Sequence, residues 1–350
     1  MFNLVQDIGI DLGTATCLVY VKGKGIVLNE PSVVALEQET GRVVAIGEEA
    51  RRMLGRTPGN IIATKPLRDG VIADFGLTEQ MLKYFIAKVC GRSMLFHPRI
   101  AVGVPSGITT VERRAVIDAC IQAGARRCYL IEEPLAAAIG AGVDFSQPSG
   151  SMVVDIGGGT TDVAVLSMGQ VVVSQSVRVA GNECDEAIAR YVRVKFNMVI
   201  GERTAEEIKM EVGTAWPRAV RRSIEVRGRD VATGLPRTVT ITSGQAHEAI
   251  EETLAAIVGA IRAVLEQTPP ELAADIMDKG IVLTGGGALL HGIDRYISQE
   301  TGVAVNLVDD PVTCVARGTG LALETLGRLQ PGAGLSPFWS GRSSIGGDLP

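Results

Sequence analysis

An aspartate followed by glycines and threonines closes an apolar run at two places in the chain. One copy is DIGGGTTD, Asp155 to Asp162, and the other is DLGTAT, Asp11 to Thr16. Glycine lets backbone N–H groups approach an anion that a Cβ would hold away, and threonine adds a hydroxyl donor. Gly13, Thr14, Ala15 and Thr16 in one copy, and Gly157, Gly158, Gly159, Thr160 and Thr161 in the other, therefore suit phosphate oxygens. The aspartates do not suit bare phosphate, because like charges repel. They make sense with a Mg²⁺ between, keeping several of its waters. Asp11 and Asp155 are read as facing that ion, mostly through water. Alone, Gly157 to Gly159 could be a flexible hairpin; the second copy argues for two clamps closing on one triphosphate. A third glycine turn, Gly285, Gly286 and Gly287 with Ala288 and Leu289 behind it, follows the strand GIVLT. It is expected to start a helix whose N-terminus admits a base or ribose. The P-loop pattern GxxxxGK[ST] is absent, as is a GxGxxG after the first strand.

The elements around these turns repeat as well. DIGIDLGTATCLVYVKGKGIVLNEPSVVAL reads as successive strands with glycine turns, and SMVVDIGGGTTDVAVLSMGQVVVSQSVRVAG repeats the pattern. Helical spacing runs through TEQMLKYFIAKVCG, and TTVERRAVIDACIQAGA opens on Thr109 or Thr110. CYLIEEPLAAAIGAG is a strand entering an Ala-rich helix, with Pro134 near the helix start. Helices are expected from about 182 to 196, from about 202, and from about 243 to 267, with strands in RSIEVRGRDVATGLPRTVTITS. The connector DFSQPSG divides the chain near 145–150, giving two similar mixed α/β halves across a cleft.

Composition limits the alternatives. The 350 residues suit two domains, and 46% are hydrophobic but only 4% aromatic, the signature of buried sheets and close-packed helices. A net charge of −5 does not suggest bulk nucleic-acid binding. No apolar run reaches a membrane-spanning length, about 20 residues, and MFNLVQDIGI lacks the marks of a signal peptide. The six cysteines, without any CxxC, read as reduced core thiols of a cytosolic protein. His97, His247 and His291 have no metal-ligand spacing.

The ordered set DLGTAT, EEPLAAAIGAG, DIGGGTTD and LTGGGALL resembles the nucleotide signature of the actin, sugar kinase and heat-shock chaperone ATPase superfamily. GKGIVLNEPSVVAL, KPLRDGVIADF, VPSGITTVERRAV, GERTAEEIKMEVGTA and TPPELAADIMDKGIVLTGGGALL narrow the resemblance to the bacterial actins of the MreB type, over roughly residues 5–327. The resemblance implies an α/β actin-like ATPase fold: two similar domains with mixed five-stranded sheets flanked by helices around a nucleotide cleft. Residues 1–145 would form domain I, with a small insertion (IB) at about 33–75. Residues 146–327 would form domain II, with an insertion (IIB) at about 181–243 and with 311–327 packing back on domain I. Residues 328–350 would be a tail that does not fold alone. Relatives tend to carry Asn at Thr16, Thr at Cys17 and Glu at Asp162.

The resemblance also implies roles. Glu133 would orient the attacking water, where the residue alone reads rather as a helix N-terminal acid favoured by the dipole. Thr160 would contact the γ-phosphate or the water, against a plain turn hydroxyl. Glu206, Glu207 and Lys209 would reach the adenosine, against a merely solvated helix face. ATP and Mg²⁺ are the implied cofactors. The apolar Met94, Leu95 and Phe96, flanked by Arg92 and Arg99, read either as a buried staple or as a membrane-inserting loop, with Met1, Phe2, Leu4 and Val5 able to lie on the same surface. The implied activity is slow ATP hydrolysis coupled to assembly into filaments of paired protofilaments. The implied place is cytoplasmic, at the inner face of the cell membrane, with cell-wall elongation proteins as partners and rod shape as the outcome. A small-molecule kinase on the same fold, a chaperone-type ATPase and a scaffold that binds ATP without hydrolysis are the rivals. The first lacks a substrate-base motif, and the second lacks a peptide-binding domain within the chain.

Overall fold

A computed structural model describes residues 7–91 and 97–328. Its centre is a pair of five-stranded sheets of the same topology. In the first, the meander Asp7–Leu12, Thr16–Val21, Gly25–Pro31 runs antiparallel, and Arg99–Val104 then Arg127–Glu132 add in parallel beside its first strand. In the second, Ser151–Ile156, Thr161–Ser167 and Gln170–Val177 form the meander, and Ile281–Thr284 then Val305–Leu307 add in parallel. The duplication read from the strand–turn–strand repeats is thus a repeat of whole-sheet topology. Every residue of Ser151–Ile156 and Thr161–Ser167 is buried. That is the expected pattern for strands covered on both faces.

Local signals account for the helices. Thr109 caps Thr110–Gln122 in a reciprocal box with Glu112, and Thr242 does the same with Gln245 for Ser243–Gln267. Asp74 caps Phe75–Cys90, whose inward face is Leu77, Met81, Leu82, Phe85 and Ile86. Two small sheets stand beside the large ones. Val34–Glu37, Val43–Ile46 and Ile61–Thr64 share a core of Val33, Ala35, Ala45 and Ala50 with the short helix Glu48–Met53. Met198–Val199, Ser223–Asp230 and Pro236–Thr242 pack with the helix Glu202–Val212.

Two helices exchange sides. Glu133–Ala141 leaves the first sheet but packs on Ser151–Ile156 and Thr161–Ser167 of the second. The closing helix Cys314–Arg328 follows the second sheet but packs on Asp7–Leu12, Thr16–Val21 and Arg99–Val104 of the first. The two helices also pack on each other. At their contact a Cβ on Gly140 would lie 1.9 Å from the Cys314 carbonyl oxygen, and one on Gly318 would lie 1.8 Å from that of Ala136. The backbones touch, so neither position has room for a methyl group.

Gly318→Ala is therefore expected to destabilise the protein by on the order of 3 kcal/mol, the upper range for overpacking. Gly259→Ala, in the exposed interior of Ser243–Gln267 where nothing lies within 4 Å of the added Cβ, should stabilise by up to about 1 kcal/mol. Urea unfolding midpoints of the two variants measure the contrast.

Candidate functional site

Both aspartate hairpins turn into one cleft. In the first, Asp11 pairs with Leu18 across the strands, and the turn is braced by Ser32, whose Oγ donates to the Gly13 carbonyl (2.6 Å) and whose N–H donates to that of Ala15 (3.0 Å). In the second, Asp155 pairs with Asp162, and the Gly157 N–H closes the turn on the Thr160 carbonyl (2.8 Å). The start of the helix Gly181–Phe196 supports it: Gly181 and Asn182 donate to the Gly157 and Gly158 carbonyls (3.2 and 2.7 Å). The turns nearly touch. A Cβ on Gly158 would come 2.7 Å from that of Ala15, and one on Gly159 would come 2.6 Å from Thr14 Oγ1. Glycine here serves close approach of backbone to backbone as well as to a ligand.

Between and beside the hairpins lies a cavity of about 400 Å³, of the size that binds small ligands. Its wall includes Asp11, Gly13, Thr14, Ala15, Thr16, Glu133, Asp155, Gly157, Gly158, Gly159 and Thr160. Glu206 and Lys209 come from the helix Glu202–Val212, and Gly285, Gly286, Gly287 and Leu289 from the third glycine turn. Three expected contributors are not in the wall. Thr161 is buried, its Oγ1 donating to the Val179 carbonyl (2.7 Å), because strand alternation turns it away from Thr160. Glu207 is exposed, one helical step off the face shared by Glu206 and Lys209. Ala288 is buried in the second core. The third turn also departs from expectation. It forms one 3₁₀ turn, Gly286–Leu289, and the next α-helix starts only at Ile293, so the glycines themselves do not open an α-helix. Gly285 has φ +85° with its Hα side against the Ile156 carbonyl, a backbone that needs glycine. Met94, Leu95 and Phe96 lie outside the described residues, as do residues 1–6 and 329–350.

Contributors that the motifs did not mark also line the cleft. Gly70 donates its N–H to Thr14 Oγ1 (3.0 Å) and approaches Thr160; the Asp-Gly pair at 69–70 signals only a turn in sequence. Asn182, Arg218 and His291 come from segments with no motif, and Met210 and Leu290 lie within quoted motifs but were given no role. Lys209 does not point freely into the cavity: its Nζ is held by the Gly181 carbonyl (2.9 Å) and Asp185 (2.8 Å). Glu206 binds Arg51 across the cleft mouth (2.8 Å).

Electrostatics are concentrated at the hairpin end. Glu133 is the first residue of the helix Glu133–Ala141 and is buried beside Asp162, Asp11 and Asp155. Burial, then these neighbouring carboxyls, hold its pKa well above the usual range. Burial, then Asp155, pushes Asp11 up to about 8; burial also pushes Asp155 to about 7, against a hydrogen bond from Thr284 Oγ1 (2.8 Å). Asp162 is raised by burial despite accepting the Ser106 N–H on Oδ1 (2.9 Å). Carboxyls crowded like this need a cation or protons. Among the described residues no three side chains converge closely enough to ligate a metal by themselves. The two aspartates fit a Mg²⁺ that would keep waters and take further ligands from phosphate, with Asp11 and Asp155 the residues that would hold it.

With this geometry the comparisons with known proteins are decisive. A profile of the MreB/Mbl protein family matches residues 5–331. The chain belongs to the MreB/Mbl family. The cell shape-determining protein Mbl of Bacillus cereus is 57% identical over 324 residues, 93% of this chain and 97% of its own. The crystal structure of MreB5 of Spiroplasma citri bound to AMPPNP superposes with a TM-score of 0.88 at 38% identity, covering 92% of this chain and 97% of that one. A MamK double helical filament shares the fold, with a TM-score of 0.78 at 21% identity over 91% and 98% of the two chains. The fold of this MreB/Mbl protein is accordingly actin-like. Among its described residues no helix is long and apolar enough to cross a membrane.

The raised carboxyls set a pH dependence for the protein alone. An acid whose folded pKa exceeds its unfolded value contributes stability at low pH that is lost as pH rises toward the folded value. For Asp11 that window runs from the ordinary range, about 4, to about 8. Thermal melts without nucleotide or divalent cation should fall across it, and Asp11→Asn should flatten the fall and raise the melting temperature at its alkaline end.

Proposed function

We propose that this chain is a nucleotide-dependent cytoskeletal ATPase, binding ATP with Mg²⁺ in the cleft and assembling into filaments. The observation that supports it most is the facing pair of aspartate hairpins with Glu133 buried behind them. The relative MreB5 was crystallised with AMPPNP, an ATP analogue, in the same fold. Backbone N–H groups of residues 13–16 and 158–160 would hold phosphate oxygens, with hydroxyls of Thr14, Thr16 and Thr160 beside them. Bound Mg²⁺ would neutralise phosphate charge and the two aspartates together. Glu133, at the helix N-terminus, would orient a water and hold its proton, with Thr160 fixing the phosphate side. Glu206 and Lys209 would face the sugar, and the 3₁₀ turn at Gly285–Leu289 would cover the base.

Assembly is the second half of the reading. A head-to-tail, non-closing contact would give the filament, and hydrolysis would weaken it. Relatives named as cell shape-determining proteins support a role in rod shape, through organising cell-wall elongation proteins at the inner face of the membrane. Contact with that surface rests on the sequence of Met94, Leu95 and Phe96, multiplied along a filament by avidity.

Two measurements test the reading. Purified protein with Mg²⁺ and ATP should release phosphate and sediment as polymer, whereas Glu133→Ala should lose about 100-fold or more in phosphate release while still binding ATP. Phosphate release unchanged in the variant would remove Glu133 from the chemistry. Separately, changing Leu95 and Phe96 together to Ser should abolish co-sedimentation with anionic liposomes and leave ATP binding intact; undiminished sedimentation would reject this loop as the anchor.

A further inference from the structure

The ion pairs at the cleft mouth have no use in the chemistry above, yet they are ordered. Glu202 and Glu206 stand one turn apart on the helix Glu202–Val212, four residues from each other and so on one face. Each takes a cation from the opposite half of the chain. Lys65, directly after the strand Ile61–Thr64, binds Glu202, and Arg51, on the helix Glu48–Met53, donates from Nη2 to Glu206 Oε2 (2.8 Å). These four side chains share the wall of a second, small cavity of about 50 Å³ with Ala15, Thr16 and Asp185. That cavity reaches from the ion pairs to the first hairpin. Each side of the mouth is also braced to one hairpin. On the Arg51 side, the Arg51 N–H is bonded to the Gly47 carbonyl and the Gly47 N–H to the Val33 carbonyl (both 2.9 Å), while the adjacent Ser32 holds the Gly13 and Ala15 carbonyls. On the Glu206 side, Lys209 of the same helix binds Asp185 (2.8 Å) and the Gly181 carbonyl (2.9 Å), and the Gly181 N–H donates to the Gly157 carbonyl (3.2 Å). The other oxygen of Asp185 is buried without a partner, so this brace rests on Lys209.

A ligand held by both hairpins fixes the distance between them and, through these braces, the distance between the two faces of the mouth. Closure of the ion pairs in turn keeps the hairpins on the ligand, so the two equilibria favour each other. The geometry points to a latch: Lys65–Glu202, assisted by Arg51–Glu206, holds the mouth shut over a bound nucleotide and sets how fast it leaves. The inference rests on the cleft being a nucleotide site, and it adds the groups that govern release. The two pairs are not equivalent. Glu206 also lines the main cavity, so a ligand that engages it loosens Arg51, whereas Lys65 and Glu202 line the small cavity alone. The competing role is that of ordinary surface ion pairs, which contribute little to anything.

The rate at which excess ADP displaces Mg²⁺–etheno-ADP, a fluorescent diphosphate that is not hydrolysed, separates these cases. Lys65→Glu and Glu202→Lys set like charges against each other, and each should release the probe about fivefold faster or more, the upper worth of an exposed pair. Lys65→Ala, which adds no repulsion, should accelerate release by about threefold. The double variant that exchanges the two residues, Lys65→Glu with Glu202→Lys, should return to within about twofold of wild type, because the pair is restored with its sign reversed. Raising salt from about 0.05 to about 0.5 M should speed the wild type more than Lys65→Ala, since these charges are open to screening. Release at the wild-type rate in all three single variants would overturn the latch and leave ordinary surface pairs. Fast release that persists in the exchanged variant would overturn it too, since pairing would not be what holds the mouth. Wild type that binds no ADP would overturn the nucleotide reading itself.

Discussion

The contact between Glu133–Ala141 and Cys314–Arg328 is the constraint on which the other parts depend. Each helix is supplied by one half of the chain and packs on the sheet of the other half. Their crossing therefore fixes how the two sheets sit. It can be this close only because Gly140 and Gly318 present bare backbone to the opposing carbonyls of Cys314 and Ala136. Small residues elsewhere on the first helix, Ala136, Ala137 and Ala138, are fully buried for the same reason. Glu133 is the first residue of that helix, so its position relative to both hairpins is set by the crossing rather than by a flexible loop.

A cluster of buried carboxyls would be a defect in a protein that had only to fold. Asp11, Glu133, Asp155 and Asp162 are brought together by four different strand or helix ends, and each is raised by burial. Folding stability is lost there as pH rises, and a cation recovers it. This is the pattern of a binding site whose ligand completes the electrostatics. It explains why glycine-rich turns, which alone suggest anion binding, are preceded by acids in both halves. A metal and phosphates bound together would answer the acids and the N–H groups respectively, which is how the proposed function accounts for both parts of each turn.

Much of this was legible because it is local. An acidic-glycine turn after an apolar strand shows in a window of eight residues, and the same window occurs twice. The helix Ser243–Gln267 lies where a long helix is expected from about 243 to 267. What was not legible depends on orientation or on distance along the chain. Thr161 looks like Thr160 in sequence, but strand alternation turns it into the core. Glu207 looks like Glu206, but lies about 100° around the helix. The glycines at 285–287 suggest a helix start, yet the extended backbone of Leu290 ends the turn after four residues. Arg218 reaches the cavity from PRAVRR, a segment that carries no motif.

The strength of contacts across the cleft is uneven, and that decides where it yields. At its base the two halves are joined by crossing helices packed backbone to backbone, with Val315 and Ala322 buried against Ile131, Leu135 and Leu166. At its mouth the small sheets meet through Arg51–Glu206 and Lys65–Glu202, ion pairs with partly exposed partners. Such pairs are worth about 0–1 kcal/mol each, whereas shifting a packed helix contact costs several buried side chains at about 1.5–3 kcal/mol apiece. The contacts at the mouth are therefore weaker than those at the base. Glu206 belongs to both the mouth and the cavity wall. A ligand whose sugar drew on that carboxylate would compete with Arg51 for it, which would link the cavity to its rim through one side chain.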